Sequence, residues 1–347
     1  MQASAVQIQV QYMNKKKSIS SRDVAREAGV SQATVSYILN DVKSVRIKPE
    51  TRTAVLEAVK KLNYHPDEIA RGMKLKKPMS IGVVTDRNVT NFYFMKTLEG
   101  IRDGTQKNDY SITLLFNKPE EIAEADYIRY YNSNRLGGII FAFASLSDEM
   151  VDYLTTNGIP FVKVDPVLSS GEMYQVCSDH LSHIPAVVRH FMEKGMKKIG
   201  YVGPTPSSAE DGRLDAFKDA MGSCGLSADE DLIATSPFND EEMAIVIKRL
   251  LSSDKRPDAL LAGSPRFGLI SLRCALSLNL NVPGQLKIVA LGSSNFYSVA
   301  YPSISAVELP LYDMGFRSAE MLSERMKGNE LPRSIVLPSE LVIRDSS

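Results

Sequence analysis

Two spacings of apolar residues divide the chain. Between residues 20 and 64 they recur every three or four positions, as on helices; from residue 78 they gather into short continuous runs, as in buried strands. In the first region Ser20-Ser21-Arg22-Asp23 is a capping-box pattern, with Ser20 placed to cap a helix and Asp23 to reach back to its free N–H groups. The helix it starts runs to Ala28 and sets Val24, Ala25 and Ala28 on one face. Gly29 suits the left-handed residue that ends it, and Val30 plugs the turn. Ser31 caps a second helix, Gln32 to Asn40, with Val35, Ile38 and Leu39 inward and Gln32, Ala33, Ser36, Tyr37 and Asn40 outward. A third helix begins at Pro49, a favoured first helical residue, and buries Val55, Val59 and Leu62. Two short helices around a tight glycine turn fit a helix-turn-helix unit, whose second helix enters the DNA major groove.

Past Pro66, residues 67–74 are expected to make a two-turn helical segment too short and too polar to be stable alone. It is expected to order only against DNA and a symmetry mate. Beyond Pro78 the runs Ser80–Thr85, Ser111–Phe116, Gly137–Ala142 and Ile159–Val164 make one series, and Lys198–Gly203, Asp258–Gly263 and Leu286–Leu291 a second. Near-continuous apolar strands separated by helix-length segments predict parallel sheets covered on both faces. Two series predict two doubly wound α/β lobes, with ligands held at the carboxyl ends of the strands, between the lobes.

Charge sharpens the division. Residues 15–77 hold 15 lysines and arginines against 7 aspartates and glutamates, a net +8. The 347-residue chain is balanced at 41 of each sign, so residues 78–347 carry −8. Positive charge gathered on one small module is the footprint of a polyanion-binding head on an acidic body. No apolar run reaches the ~18 residues needed to span a bilayer. Residues 1–14 lack the basic n-region and apolar core of a signal peptide, so a cytoplasmic protein without membrane contact is expected. Residues 1–17 are expected to be a disordered leader, with Met13 an alternative initiator to Met1. Three distant cysteines, Cys177, Cys224 and Cys274, fit buried thiols in a reducing compartment. His180 and His183 lie three apart, but His-x-x-His without a third fixed ligand does not make a metal site. The chain has no P-loop, no G-x-G-x-x-G and no G-x-S-x-G, so no catalytic set, metal or cofactor is expected.

The stretches "RDVAREAGVSQATVSYILN" and "VLEAVKKLNYHPDEIARGM" resemble the lactose-repressor (LacI/GalR) family of bacterial transcription regulators. The resemblance implies that Gln32, Ala33 and Tyr37 read bases and that Ser31, Thr34, Ser36, Asn40 and Thr51 contact the DNA backbone. It places Ala70 and Met73 on a hinge helix, with Met73 where the family usually has a leucine that wedges into a minor-groove step. Asp67 stands where Asn is common, and the loop Asp41–Lys48 is about two residues longer than in the lactose-type pattern. Apolar reading by Ala33 and Tyr37 suits thymine methyl groups.

The body resembles the same family's type I periplasmic-binding-like effector domain, through "SIGVVTDRNVTNFYF", "GIPFVKVD", "HFMEKGMKKIGYVGP", "RLDAF", "VELPLYDMGFRSAEML" and "LPSELVIRDSS". The implied organisation is a helix-turn-helix domain over 18–66, a hinge helix and linker over 67–77, and an effector-binding and dimerisation domain over 78–347. The N lobe would take about 78–179 plus 309–337 and the C lobe about 180–308 plus the C-terminal segment. The chain would cross between lobes near 179, 309 and 337. Asp86, Tyr93, Phe94, Asp179, Arg213, Phe238, Ser264 and Ser293 match effector-pocket positions. Carboxylates and an arginine fork can bond hydroxyls, and aromatic faces can stack on a ring. For each aromatic taken alone, core packing is the better reading.

Two departures stand out. Ser264-Pro265 replaces a common Asn-Asp, and Leu291-Gly292-Ser293-Ser294 replaces a common Gly-aromatic-Asp-Asp. The C lobe thus lacks an acidic acceptor for sugar hydroxyls, and Arg266 lies beside the first departure, which points to an anionic or modified ligand. The expectation is a homodimeric repressor on a roughly palindromic double-stranded operator, controlled by a small-molecule effector. Only four residues follow Ile343, which leaves no tetramerising coiled coil. A solute-binding protein or an enzyme on the same α/β body are the alternatives.

Overall fold

The computed structural model describes residues 19–39, 42, 45–64, 78–116, 125–165, 173–205, 212–237 and 239–347. The chain divides into two compact units, residues 1–77 and 78–347. Residues 67–74, with Ala70 and Met73, and also Asn40 and Phe238, lie outside the described residues.

In the first unit, helices α1 (Ser21–Glu27), α2 (Gln32–Leu39) and α3 (Pro49–Leu62) follow local signals. The Asp23 carboxylate accepts the Ser20 N–H at 3.0 Å, closing the capping box. Ala28 caps the end of α1 instead of extending it, and Gly29 takes φ +64°, a conformation costly for any residue with a Cβ. That turn lets the Val30 N–H reach the Ala25 carbonyl at 2.9 Å. Ser31 Oγ accepts the Thr34 N–H at 3.1 Å and so caps α2. Val24, Ala25, Val35, Ile38, Val55 and Ala58 form the core of the three helices. On α3 it is Ala58 that joins Val55 in full burial, while Val59 and Leu62 flank the core; the stripe is rotated slightly from the expected one.

The second unit has two six-stranded sheets. The first contains β1 (Ser80–Thr85), β2 (Ser111–Phe116), β3 (Ile139–Ala142), β4 (Phe161–Val164), β5 (Gln175–Ser178) and β11 (Ser334–Leu337). Its order is β11-β5-β4-β3-β1-β2, parallel throughout. The second contains β6 (Ile199–Pro204), β7 (Ile233–Ser236), β8 (Ala259–Ala262), β9 (Lys287–Leu291), β10 (Ser305–Glu308) and β12 (Glu340–Val342), in the order β12-β10-β9-β8-β6-β7. Only β12 runs antiparallel to its neighbour.

Helices α4 (Phe92–Gln106) and α11 (Leu311–Met326) cover one face of the first sheet, and α5 (Asp126–Asn132) and α6 (Asp148–Thr156) the other. Helices α7 (Ile184–Glu193) and α8 (Arg213–Ser223) cover one face of the second sheet, and α9 (Asp240–Leu251) and α10 (Pro265–Ser277) the other. The strands are therefore buried from both sides, which is why they read as unbroken apolar runs. Helices α4 and α11 approach closely through glycines: a Cβ on Gly100 would overlap the Tyr312 carbonyl, and one on Gly315 the Thr97 carbonyl.

The chain crosses between lobes three times. The first crossing follows β5 through a 3-10 turn, His180–His183; the second lies at Leu309, between β10 and α11; the third is Pro338-Ser339, between β11 and β12. Both lobes are thus discontinuous in sequence, with the second and third crossings returning late segments to early sheets.

Candidate functional site

The first candidate surface is the outer face of α2. Burial of Val35 and Ile38 turns Gln32, Ala33 and Tyr37 outward, and Tyr37 is 39% exposed. Ser31 is exposed, and Thr34, Ser36 and Thr51 are half-buried around the same face. The Gln32 amide Nε2 donates to Ser21 Oγ at 2.7 Å, so α1 orients this exposed side chain. Ser31 and Thr34 hydroxyls lie 2.9 Å apart. Lys61 and Glu27, paired at 2.5 Å, clamp α3 to α1. Such a rigid face, with a fork-shaped amide, a methyl and a phenol, matches what base edges in a major groove require.

The second candidate site lies where the carboxyl ends of the strands face the crossings. Asp86 follows β1, and its carboxylate accepts the Ser145 N–H at 2.7 Å, fixing the loop after β3. That loop starts at Phe143, whose φ of +53° is unusual for a residue with a Cβ; its ring lies 6.1 Å from that of Tyr93. Tyr93, in the first turn of α4, carries its hydroxyl across to the backbone of Gly292. Burial pushes this phenol well above its ordinary range, against the opposing pull of Arg213. Arg213 opens α8, and its charge also acts on His180. His180 is fully buried, with Nδ1 3.0 Å from Ser178 Oγ. Burial first, then Arg213, brings its pKa down to about 4, so it is neutral at physiological pH.

Several polar residues here hold the frame together. Asp179 Oδ1 accepts the Ser339 N–H at 2.6 Å and lies 3.7 Å from His183 Nε2, tying the first crossing to the third. Ser293 Oγ accepts the Leu309 N–H at 2.8 Å and donates to the Leu309 carbonyl at 3.4 Å, tying the C lobe to the second crossing. Ser264 Oγ accepts the Phe267 N–H at 3.3 Å and caps α10.

Tyr93, Arg213 and Ser293 are therefore brought together, with Asp86 and Asp179 at the strand end and crossing beside them. Phe94 is not: it is fully buried in the apolar core of the N lobe, because the helical spacing that turns Tyr93 toward the cleft turns its neighbour inward. Arg266 does not face an anion site either. It forms an ion pair with Asp240 at the start of α9, which answers its charge within the lobe. His180, Phe143 and Gly292 were not singled out as ligand-site residues from the sequence. Only Gly292, a glycine directly after an apolar strand, carried a visible signal. Among the described residues no helix is long and apolar enough to cross a membrane. Among them, too, no three His, Cys, Asp or Glu residues are grouped to hold a metal ion.

Residues 20–67 match the family of bacterial regulatory proteins, lacI family, and residues 188–347 match a periplasmic binding protein-like domain. Catabolite control protein A of Staphylococcus xylosus is 30% identical over 329 residues, covering 94% of this chain and 98% of that one. The HTH-type transcriptional regulator RegA of Clostridium saccharobutylicum is 28% identical over 331 residues, covering 94% and 99%. Among solved structures, the Lac repressor dimer bound to operator and the anti-inducer ONPF has the same fold, with a TM-score of 0.82 at 20% identity over 95% of this chain and 99% of that one. The complex of the transcriptional regulator CelR with cellobiose gives a TM-score of 0.69 at 22% identity over 95% and 100%. A head with an outward-facing second helix, a two-lobed α/β body and near full-length relatives agree: the chain belongs to the lacI family of bacterial regulatory proteins and is a DNA-binding transcription regulator, not an enzyme.

Proposed function

We propose that the protein is a cytoplasmic homodimeric repressor of a pseudo-palindromic operator, controlled by a small molecule held between its two lobes. The effector would be a sugar or a sugar-derived or anionic metabolite. The observation that carries the DNA-binding half is the outer face of α2, where Gln32, Ala33 and Tyr37 project from a helix anchored by Val35 and Ile38. The effector half is supported by the convergence of Tyr93, Arg213 and Ser293 at the strand ends. Cellobiose bound to CelR and the operator bound to the Lac repressor are the corresponding ligands of similar proteins.

The crossings explain how one site would speak to the other. Ser293 is bonded to Leu309 at one crossing, and Asp179 joins the other two. A ligand that closes the lobes would act on these crossings. Its leverage equals its difference in affinity for the two lobe arrangements.

Selection of random duplexes by the full-length protein at near-physiological salt, where non-specific phosphate binding is weak, tests this reading. Enrichment of a palindrome is expected; no enrichment, with or without cell metabolites, would remove the sequence-specific regulator. Two variants separate the sites. Met73→Gly should weaken operator binding and leave ligand affinity intact. Arg213→Ala should abolish the ligand response and leave operator binding in at least one ligation state. Equal damage to both activities by both variants would refute the two-site scheme.

A further inference from the structure

Ser21 is the first residue of α1 and Gln32 the first of α2, and the two side chains meet across the turn between the helices. Gln32 is exposed and Ser21 half-buried. The Gln32 amide Nε2 donates one N–H to Ser21 Oγ at 2.7 Å. Among the described residues neither side chain makes another hydrogen bond. A primary amide carries two N–H donors and a carbonyl acceptor, and a hydroxyl can accept and donate at once. The contact therefore leaves Gln32 with one N–H and its Oε1, and leaves Ser21 with its own O–H. Ser21 is not what starts the helix: the Ser20 N–H donates to the Asp23 carboxylate at 3.0 Å, and those two residues close the capping box. The neighbouring hydroxyls of Ser31 and Thr34 are bonded to each other at 2.9 Å and do not compete for the amide.

We propose that Ser21 is a positioning residue for base reading, and that it makes Gln32 a reader of adenine and not of guanine. This rests on the reading that the outer face of α2 enters the major groove. There adenine presents the N7 acceptor beside the N6 amino donor, whereas guanine presents two acceptors, N7 and O6. An unrestrained glutamine amide can serve both purines: carbonyl and one N–H to adenine, or both N–H groups to guanine. With one N–H held by Ser21, the second mode costs an existing hydrogen bond. The remaining pair, one donor and one acceptor, fits adenine alone of the two purines. Cytosine offers only a donor and thymine only an acceptor among polar groups at this edge, so each satisfies half of the pair. The bond also orders the glutamine before DNA arrives, which reduces the rotamer freedom lost on binding.

Selection of random duplexes by the full-length protein, run side by side for the wild type, Gln32→Ala, Ser21→Ala and Ser21→Thr, tests this. Gln32→Ala locates the position that Gln32 reads, as the one in each half-site whose preference collapses. There the wild type should favour adenine over each other base by about tenfold, as expected of a bidentate pair. Ser21→Ala frees the second N–H and should admit guanine, lowering the adenine-to-guanine ratio at that position about tenfold and leaving the other positions unchanged. Ser21→Thr keeps the hydroxyl and should restore adenine. Because Ser21 stands outside the capping box, the alanine variant keeps the cap of α1. A loss of affinity in Ser21→Ala that is uniform across sequences would show a structural role only and overturn the proposal. Guanine at the Gln32 position of the wild type would overturn it too, since it requires both N–H groups to be free for the base. An operator with no position that depends on Gln32 refutes this inference alone. Failure to select any operator removes the regulator reading and this inference with it.

Discussion

Acidification should loosen the effector domain chiefly through one buried side chain, His180. His180 lies at the first crossing, fully buried, and its pKa is brought down to about 4 by burial and then by the Arg213 charge, with Asp179 opposing. In the unfolded chain the same imidazole titrates near 6.5. The unfolded state therefore takes the proton first. The stability this neutral histidine protects is fully present above pH 6.5 and is lost as pH falls toward 4. The interval between 6.5 and about 4 converts to about 3 kcal/mol, of which about 2 kcal/mol is gone by pH 5.

Urea unfolding of the wild type and of His180→Gln at pH 7 and pH 5 measures it. Glutamine keeps a group able to bond Ser178 Oγ but cannot be protonated. The wild type should lose about 2 kcal/mol more than the variant on going from pH 7 to pH 5. His190, also brought down mainly by burial, acts in the same direction but is present in both proteins and cancels in the difference. Equal losses in the two proteins would refute the assignment of the acid sensitivity to His180.

Two further outcomes follow from particular contacts. Gly100→Ala should destabilise the N lobe by about 1–3 kcal/mol, because the new methyl meets the Tyr312 carbonyl and the Phe316 N at 2.8 Å, and helix backbone cannot swing aside as a side chain can. A thermal melt unchanged from wild type would refute that packing. Tyr37→Ala should relax base preference at one position of each half-site by about 1–3 kcal/mol in competition binding, without reducing the number of phosphate contacts, so the salt dependence of binding should be unchanged.

The head was legible because its signals are local. The capping box joins Ser20 to Asp23, the next cap joins Ser31 to Thr34, and the turn rests on Gly29; each acts within a few residues, so spacing alone reveals it. Strands β1 and β2 were bounded as expected because six-residue apolar runs have few alternatives. Strands β5, β7, β10, β11 and β12 were not identified. Gln175–Ser178 and Ser305–Glu308 are four residues long and mix polar with apolar side chains, so no period develops; their strand character comes from partners distant in sequence.

The chemistry of the cleft divides in the same way. Sequence pattern and family resemblance together placed Tyr93, Arg213 and Ser293 at one site, since strand ends and helix starts in a doubly wound sheet must face the same crevice. The sequence also determined by itself that a basic helical head precedes an acidic two-lobed body, because charge balance and apolar spacing are properties of the chain. Tertiary structure alone decided what each polar group does. Asp179, Ser264 and Ser293 bond backbone groups of Ser339, Phe267 and Leu309. Arg266 is spent on Asp240, Phe94 turns into the core, and the Tyr93 phenol crosses to Gly292. A hydrogen bond is decided over about 3 Å, and which groups come that close is set by three chain crossings that no local pattern encodes.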